Sequence, residues 1–323
     1  MKAAVLHQLG TAPKYEDFAV PVPQNDDQIL IAVKAASVKN FDKGRASGSH
    51  YASHTNLPTV VGVDGVGVLE DGTRVYAIGI AGMIAEKALI NKNQYTVLPD
   101  GIDDVTASAL PNAIMGAALA LKYRAQIKIG DTVLINGATG VTGQAAVQIA
   151  KYYGAKKVIA TGRNPESLKL LLKLGADEVI SLKDDDETII KQIKEIHSSS
   201  TISSVIDYTW GHPAELIINA LKGGGLHNIT PIVRFVTVGS MAGDEIKVSS
   251  NILRSTAIEL LGSGFGSVQA DAMEKLNSEI LPEMLQLSAL GKLKIETVTR
   301  PLKDVEMAWH EHIAAGKRLV IVM

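Results

Sequence analysis

Thr132-Val-Leu-Ile-Asn-Gly-Ala-Thr-Gly-Val-Thr-Gly-Gln-Ala-Ala-Val-Gln-Ile-Ala-Lys151 is the stretch that decides the fold. A short β-branched run enters a turn carrying Gly137, Gly140 and Gly143, and a small-residue amphipathic helix leaves it. A second apolar run, Val158-Ile-Ala-Thr161, and a helical pattern from Glu166 to Leu174 follow. Together they make a strand-turn-helix-strand-helix unit of the dinucleotide-binding kind.

Such a turn needs positive φ values and lets bare backbone approach a pyrophosphate, which glycine allows without a Cβ clash. Free amides and the positive end of the following helix then hold the phosphates. The expected cofactor contacts are therefore Gly137, Thr139, Gly140, Val141, Thr142 and Gly143. A glycine motif alone is weak, but the strand before it and the helix after it supply the required context.

Which dinucleotide is held is decided about twenty residues on, where an NAD site places a carboxylate on the ribose hydroxyls. Between Gly143 and Pro165 there is no acidic residue, and the second strand ends in Gly162-Arg163-Asn164. A guanidinium can grip a 2′-phosphate with paired hydrogen bonds, whereas a carboxylate would repel it. The expected cofactor is NADPH, with Gly162, Arg163 and Asn164 at its adenosine end.

Outward from this unit, residues 123–260 alternate strand and helix, the signature of a parallel sheet covered on both faces. Residues 1–122 are richer in strands: Lys2–Leu6, Gln28–Ala36, Val60–Leu69, Arg74–Ile78 and Ala85–Ile90. Asp71-Gly72 marks a hairpin turn. Helices are expected over Asp103–Leu110 and Ala113–Tyr123. Residues 261–323 add a helix over Ala270–Leu290 interrupted by Pro282, a strand at Ile295–Val298, a helix over Leu302–Ala315 and a closing strand at Lys317–Val322.

Composition narrows the function classes. The 323 residues carry a net charge of −2, which gives no nucleic-acid footprint. Hydrophobic residues make up 46% and charged residues 20%, as in an ordinary globular chain. No apolar run approaches the ~20 residues of a membrane span. The absence of cysteine removes disulfides, thiol nucleophiles and Cys-ligated metal, and permits cytoplasmic residence.

Taken together, these residues resemble the medium-chain dehydrogenase/reductase superfamily, and within it the zinc-free quinone oxidoreductases. The resemblance runs through Ala35-Ala-Ser-Val-Lys39-Asn-Phe-Asp42, Leu57-Pro-Thr-Val-Val-Gly62-Val-Asp64-Gly65-Val-Gly67 and Ala109-Leu-Pro111. It continues through Gly137 to Lys151, Leu174-Gly-Ala-Asp177 and Gly316-Lys-Arg-Leu-Val-Ile. It implies an α/β fold: a doubly wound Rossmann sheet (123–260) inserted into a β-rich, GroES-like catalytic domain made of 1–122 and 261–323. It also implies a cleft where substrate meets nicotinamide, and a homodimer.

In zinc-dependent relatives three positions carry metal ligands, and by motif these match Lys39, Val63 and Asn112. A valine cannot coordinate and a protonated lysine would repel the ion, so no metal is expected. Without a metal to polarise an alcohol, the expected acceptors are electron-poor: quinones and α,β-unsaturated carbonyls. The site residues expected there are Lys39, Asp42 and Tyr51. Lys39 reads as a hydrogen-bond donor to substrate or nicotinamide ribose, kept charged by Asp64, or as half of a structural salt bridge. Asp42 reads equally as a turn cap and Tyr51 as a rim aromatic. Tyr208, Gly239, Ser240, Gly262, Ser263, Gly264 and Phe265 resemble the segments that meet the nicotinamide end, and Arg318 a basic position near the cofactor phosphates. A rival reading is a catalytically idle nucleotide-binding member of the same superfamily.

Overall fold

The computed structural model describes residues 1–223, 230–264 and 266–323. The chain divides into two compact units, one made of Met1–Pro111 with Asn277–Met323 and the other of Asn112–Leu276.

The first unit opens with β1 (Lys2–Leu6), β2 (Lys14–Asp17), β3 (Gln28–Val38), α1 (Asn40–Ser47), β4 (Thr59–Val60), β5 (Asp64–Val68), β6 (Arg74–Gly79) and β7 (Lys87–Val97). The Asp71-Gly72 hairpin forms as the sequence indicates: Gly72 takes φ 89°, Leu69 N bonds Thr73 O, and the Asp71 carboxylate accepts from Thr73 N. Helix α2 (Asp104–Ile114) begins the long helical run that carries the boundary between the units.

That run differs from the two separate helices read from the sequence. It continues without a break through Pro111, and from Met115 to Arg124 it widens to π-type hydrogen bonding. Pro111 costs the run one amide donor without ending it. By length and composition alone the resulting 21-residue helix would pass as a bilayer span. Its Leu110, Ile114, Leu119 and Leu121 are nevertheless buried within the protein, as in a core helix.

The second unit alternates β8 (Thr132–Asn136), α3 (Val141–Tyr152), β9 (Lys157–Gly162), α4 (Pro165–Lys173), β10 (Glu178–Ser181), α5 (Asp186–Ser199), β11 (Ile202–Asp207), α6 (Gly211–Ala220), β12 (Val233–Thr237), α7 (Ser250–Ser255), β13 (Ile258–Gly262) and α8 (Ala270–Lys275). Among the described residues its six strands are all parallel, in the order β10-β9-β8-β11-β12-β13. With β8 as first strand this is the doubly wound 3-2-1-4-5-6 order, whose ligand crevice lies at the carboxyl ends of the strands where the winding reverses. Asn164 and Asp185 cap α4 and α5 by accepting from Ser167 N and Thr188 N. Leu134, Ile159, Ile193, Val205, Ile217 and Phe235 fill the core on one side of this sheet.

The chain returns to the first unit through a π-type turn (Leu276–Ile280), α9 (Leu281–Ala289), β14 (Glu296–Pro301), a short 3-10 turn, α10 (Val305–His310) and β15 (Lys317–Val322). The larger sheet of that unit runs β14-β15-β3-β5-β6-β7, with β3 also reaching β7, and β2-β1-β4 forms a smaller one. Leu6, Ile31, Val75, Ile84, Trp309 and Ile321 share its main core.

The unit boundaries, after residues 111 and 276, differ from the 122 and 260 read from the sequence. Strand β13 pairs in register with β12 from Ile258 to Gly262, which holds the segment after residue 260 to the parallel sheet. The helix expected over Leu302–Ala315 stops at His310, where Glu311 turns extended and its carboxylate pairs with Arg300.

Candidate functional site

In the second unit, parallel pairing brings the expected cofactor residues to one edge of the sheet. Asn136, Gly162, Asp207, Thr237 and Gly262 end β8, β9, β11, β12 and β13 in turn. The glycines of the first turn have different reasons to be glycine. Gly137 takes φ 74°, and a Cβ on it would sit 2.5 Å from Thr209 Cγ2. A Cβ on Gly143 would sit 2.5 Å from Ala138 Cα, so this glycine lets the helix close onto its own turn. Gly140 has nothing within 4 Å and stands as the N-cap of α3 with no side chain capping the helix. A Cβ on Gly140 would thus enter open space, and no side chain takes up the first amides of α3, an arrangement suited to an anion.

At the end of β9, a Cβ on Gly162 would lie 2.2 Å from Thr139 Cγ2, which keys this strand end to the turn. Arg163 is exposed, and no ion pair engages it among the described residues. Asn164, expected at the cofactor, has its carboxamide oxygen engaged on Ser167 N as the α4 cap. Tyr208 is half-buried and its hydroxyl donates to Gly116 O at 3.1 Å, in the widened helical run. Burial and the neighbouring Asp207 push this phenol far above its usual range. Ser263 N donates to Thr237 O, Gly262 O accepts from Arg124 Nε, and Gly264 N donates to Ser267 Oγ. Gly239 lies against Tyr208 O, and Ser240 is exposed. Phe265 lies outside the described residues.

The sequence reading missed a buried polar group beneath this turn. Asn136, Thr161 and Asp207 are each 0% exposed and joined by hydrogen bonds. The available signal was a polar residue closing or nearly closing each of three strands directly after an apolar run, Val-Leu-Ile, Val-Ile-Ala and Val-Ile.

In the first unit, Lys39 and Asp42 come together as expected, but in a buried cluster. Lys39 Nζ donates to Asp64 Oδ1 at 2.5 Å and Ser37 O at 2.9 Å, with Asp42 Oδ2 at 3.1 Å. Asp42 also accepts from Lys39 N and Val63 N, which fixes the start of α1 against the segment leading into β5. Tyr76 donates its hydroxyl to Asp64 Oδ2 at 2.9 Å. Burial pushes the Tyr76 phenol well up, helped by the Asp64 charge. Burial opposes the charge on Lys39, yet Asp42 and Asp64 outweigh it and its pKa stands above the ordinary lysine value. Arg318 is buried at 9% exposure and belongs to the same cluster. Burial draws its pKa down while Asp64 and Asp42 oppose the shift; a guanidinium remains charged all the same. The resemblance implies a place for Arg318 near the cofactor phosphates; in the structure its guanidinium also feels the charges of Lys39, Asp42 and Asp64.

Tyr51 is not part of that cluster. It is 87% exposed, its ring 4.1 Å from that of His50, which meets Phe41 edge-on at 4.9 Å, with Arg45 over Phe41. Ala52 N donates to His50 Nδ1, which helps to fix the imidazole.

The donor set does not fit zinc. Lys39 brings an ammonium already paired with two carboxylates, and Val63 brings no donor. Among the described residues no group of three or more His, Asp or Glu side chains is placed to hold a metal ion.

Comparison with known proteins adds an independent line. A family model described as zinc-binding dehydrogenase matches residues 141–282. The quinone oxidoreductase of Sus scrofa is 31% identical over 254 residues, covering 75% of this chain and 73% of that protein. An Arabidopsis thaliana NADPH-dependent alkenal/one oxidoreductase is 36% identical over 208 residues, covering 56% of this chain and 52% of its own. The quinone oxidoreductase of Thermus thermophilus, solved also in complex with NADPH, superimposes with a TM-score of 0.80 at 27% identity over 100% of both chains.

Proposed function

Since the chain belongs to the medium-chain dehydrogenase/reductase superfamily, on its quinone oxidoreductase-like side, we propose that it is a zinc-independent oxidoreductase. It transfers hydride from NADPH to quinones or α,β-unsaturated carbonyls. Oxidoreductase chemistry with a nicotinamide cofactor follows from the family; the choice of NADPH, the acceptor class and the independence from zinc are our own reading.

The observation that carries it is the open space over Gly140 at the carboxyl edge of a 3-2-1-4-5-6 sheet, with exposed Arg163 at the next strand end. In this reading the α3 amides hold the pyrophosphate and Arg163 grips the 2′-phosphate. Bound there, NADPH supplies the hydride. A quinone or enone that accepts it becomes a resonance-stabilised oxyanion and then takes a proton, so the chain has to orient the acceptor and limit water. Tyr51 offers an exposed ring, backed by His50, on which a planar acceptor can stack. The protons of the Lys39 ammonium point at Asp64, Asp42 and Ser37 O, which favours a positioning role for Lys39 and Asp42 over direct donation.

Loss of reduced-nicotinamide absorbance on adding a small quinone or enone tests the proposal. Turnover with NADPH that survives exhaustive chelation is the expected result. Tight NADPH binding with no turnover across both acceptor classes would instead make this an idle nucleotide-binding member of the superfamily. Activity abolished by chelation and restored by zinc would remove the zinc-independent part.

A further inference from the structure

Strands β9, β8 and β11 lie side by side and carry Thr161, Asn136 and Asp207 at their carboxyl ends. These side chains form one continuous hydrogen-bond chain beneath the phosphate-binding turn. Gly137 N donates to Thr161 Oγ1 at 3.1 Å, and Thr161 Oγ1 donates to Asn136 Oδ1 at 2.6 Å. Asn136 Nδ2 then donates to Asp207 Oδ1 at 2.7 Å and to Thr209 Oγ1 at 2.6 Å. Asp207 further accepts from Thr209 N, Thr209 Oγ1 and Trp210 N.

The direction of the chain is set at one end. A carboxylate only accepts, so Asn136 must turn its NH2 towards Asp207 and its carbonyl towards Thr161. The Thr161 hydroxyl then spends its proton on Asn136 and keeps a lone pair for Gly137 N. Among the described residues all the donors that meet Asp207 are neutral, and burial raises its carboxyl above the usual range. A buried anion without a cationic partner is unfavourable for packing alone. The same carboxylate holds the peptide after Thr209, whose methyl packs where a Gly137 Cβ would stand. Thr209 O in turn accepts from Ala242 N at 2.7 Å, which ties in the loop that begins at Gly239.

We propose that Asp207 is a positioning residue for cofactor binding: it fixes the polarity of a buried hydrogen-bond chain that ends on the first amide of the phosphate-binding turn. The ligand acted on is the pyrophosphate, common to NADPH and NADH, and the proposal rests on the nicotinamide reading above. Asp207→Asn lets the Asn136 amide reverse and leaves the Trp210 amide facing a mixed acceptor and donor. Electrostatics alone gives the opposite expectation, because removing a buried negative charge near a pyrophosphate should tighten binding.

The test is calorimetric titration of the intact protein, Asp207→Asn and Thr161→Val with NADPH and with NADH. Both cofactors should weaken by the same factor, roughly tenfold or more, in each variant. At saturation the 31P resonance of the bound pyrophosphate should shift while that of the 2′-phosphate stays in place, which a general loosening of the fold would not do. Thr161→Val keeps the volume of the side chain and decides the matter if Asp207→Asn does not fold. A folded variant that binds both cofactors as tightly as the unmodified protein, or that weakens NADPH alone, overturns the proposal. Unmodified protein that binds neither cofactor brings down the nicotinamide reading with it.

Discussion

Lys39 Nζ lies 2.5 Å from Asp64 Oδ1, with the two side chains only 2% and 4% exposed. Asp42 makes the lysine's second ion pair, and Arg318 adds a second buried cation. Such a cluster contributes little net energy over an apolar filling, but removing one member strands the others without solvent. Lys39→Met should therefore lower the unfolding free energy of the first unit by about 3–5 kcal/mol. The chain has two tryptophans, Trp309 in the first unit and Trp210 in the second. Urea denaturation followed by Trp309 fluorescence in a Trp210→Phe background would read the first unit by itself. A midpoint unmoved by Lys39→Met would show that the cluster tolerates an uncompensated carboxylate.

The same pair predicts a pH dependence. The Lys39 pKa is raised in the folded chain, so its contribution is complete below the ordinary value of 10.5 and is lost as pH rises through the higher folded value. The stability gap between the unmodified protein and Lys39→Met should stay flat through neutral pH and begin to close only in strongly alkaline solution. A gap that closes between pH ~6 and ~8 would contradict this assignment of charge.

Two glycines of the turn should fail in different ways. Gly143→Ala forces a Cβ onto the Ala138 backbone and should destabilise the second unit by about 1–3 kcal/mol. Gly140→Ala meets nothing within 4 Å and has an ordinary φ of −77°, so thermal stability should hold. A phosphate held at the uncapped start of α3 would meet the added methyl, and NADPH affinity should fall. Thermal melts paired with cofactor titration separate the two; equal losses of stability would refute the contrast.

Arg163 should discriminate between cofactors. Losing charge-assisted hydrogen bonds to a 2′-phosphate costs about 1.5–3 kcal/mol, or roughly ten- to hundredfold in Kd. Arg163→Ala should weaken NADPH by that factor and leave NADH nearly unchanged. Equal affinity of the unmodified protein for both cofactors would remove the argument.

His212 offers a milder titration. Its hydrogen bond to Asp186 raises its pKa, aided by the Asp186 and Glu215 charges and opposed by slight burial. The contribution is thus fully present below the ordinary value of 6.5 and fades as pH rises through the higher folded value. His212→Gln should lower the urea midpoint slightly in mild acid and leave it unchanged in mild alkali, since exposed pairs contribute little. A loss that grows with pH would reverse the sign.

The parallel sheet and its turn were legible because glycine spacing and β-branched runs are local signals that the tertiary fold did not override. Strand β2 was not: Lys14-Tyr-Glu-Asp17 has no apolar alternation and is held as an edge by pairing with β1. Strand β7 runs to Val97, past the expected end at Ile90, because polar Asn91 to Gln94 lie on an exposed stretch. At the site, Lys39 and Asp42 were readable from their motif, and Asp64 was named as the partner that keeps Lys39 charged. Tyr76 and Arg318 were not placed with them. Their meeting depends on β3, β5, β6 and β15 lying adjacent in one sheet, a long-range fact with no signature within any one segment. The Asn136–Asp207 chain was hidden for the same reason, since its members come from separate strands.

Strand β15 lies between β14 and β3, pairing Val320 with Ser37 across nearly the whole length of the chain. During synthesis the first unit thus cannot close its sheet until its last strand has been made, while the second unit is complete much earlier. In that interval β3 presents bare backbone where β15 will later add, an edge open to any passing strand. The residues that close the sheet, Lys317 to Val322, decide when a nascent chain stops being sticky. Chaperone demand should accordingly peak after the inserted unit has folded.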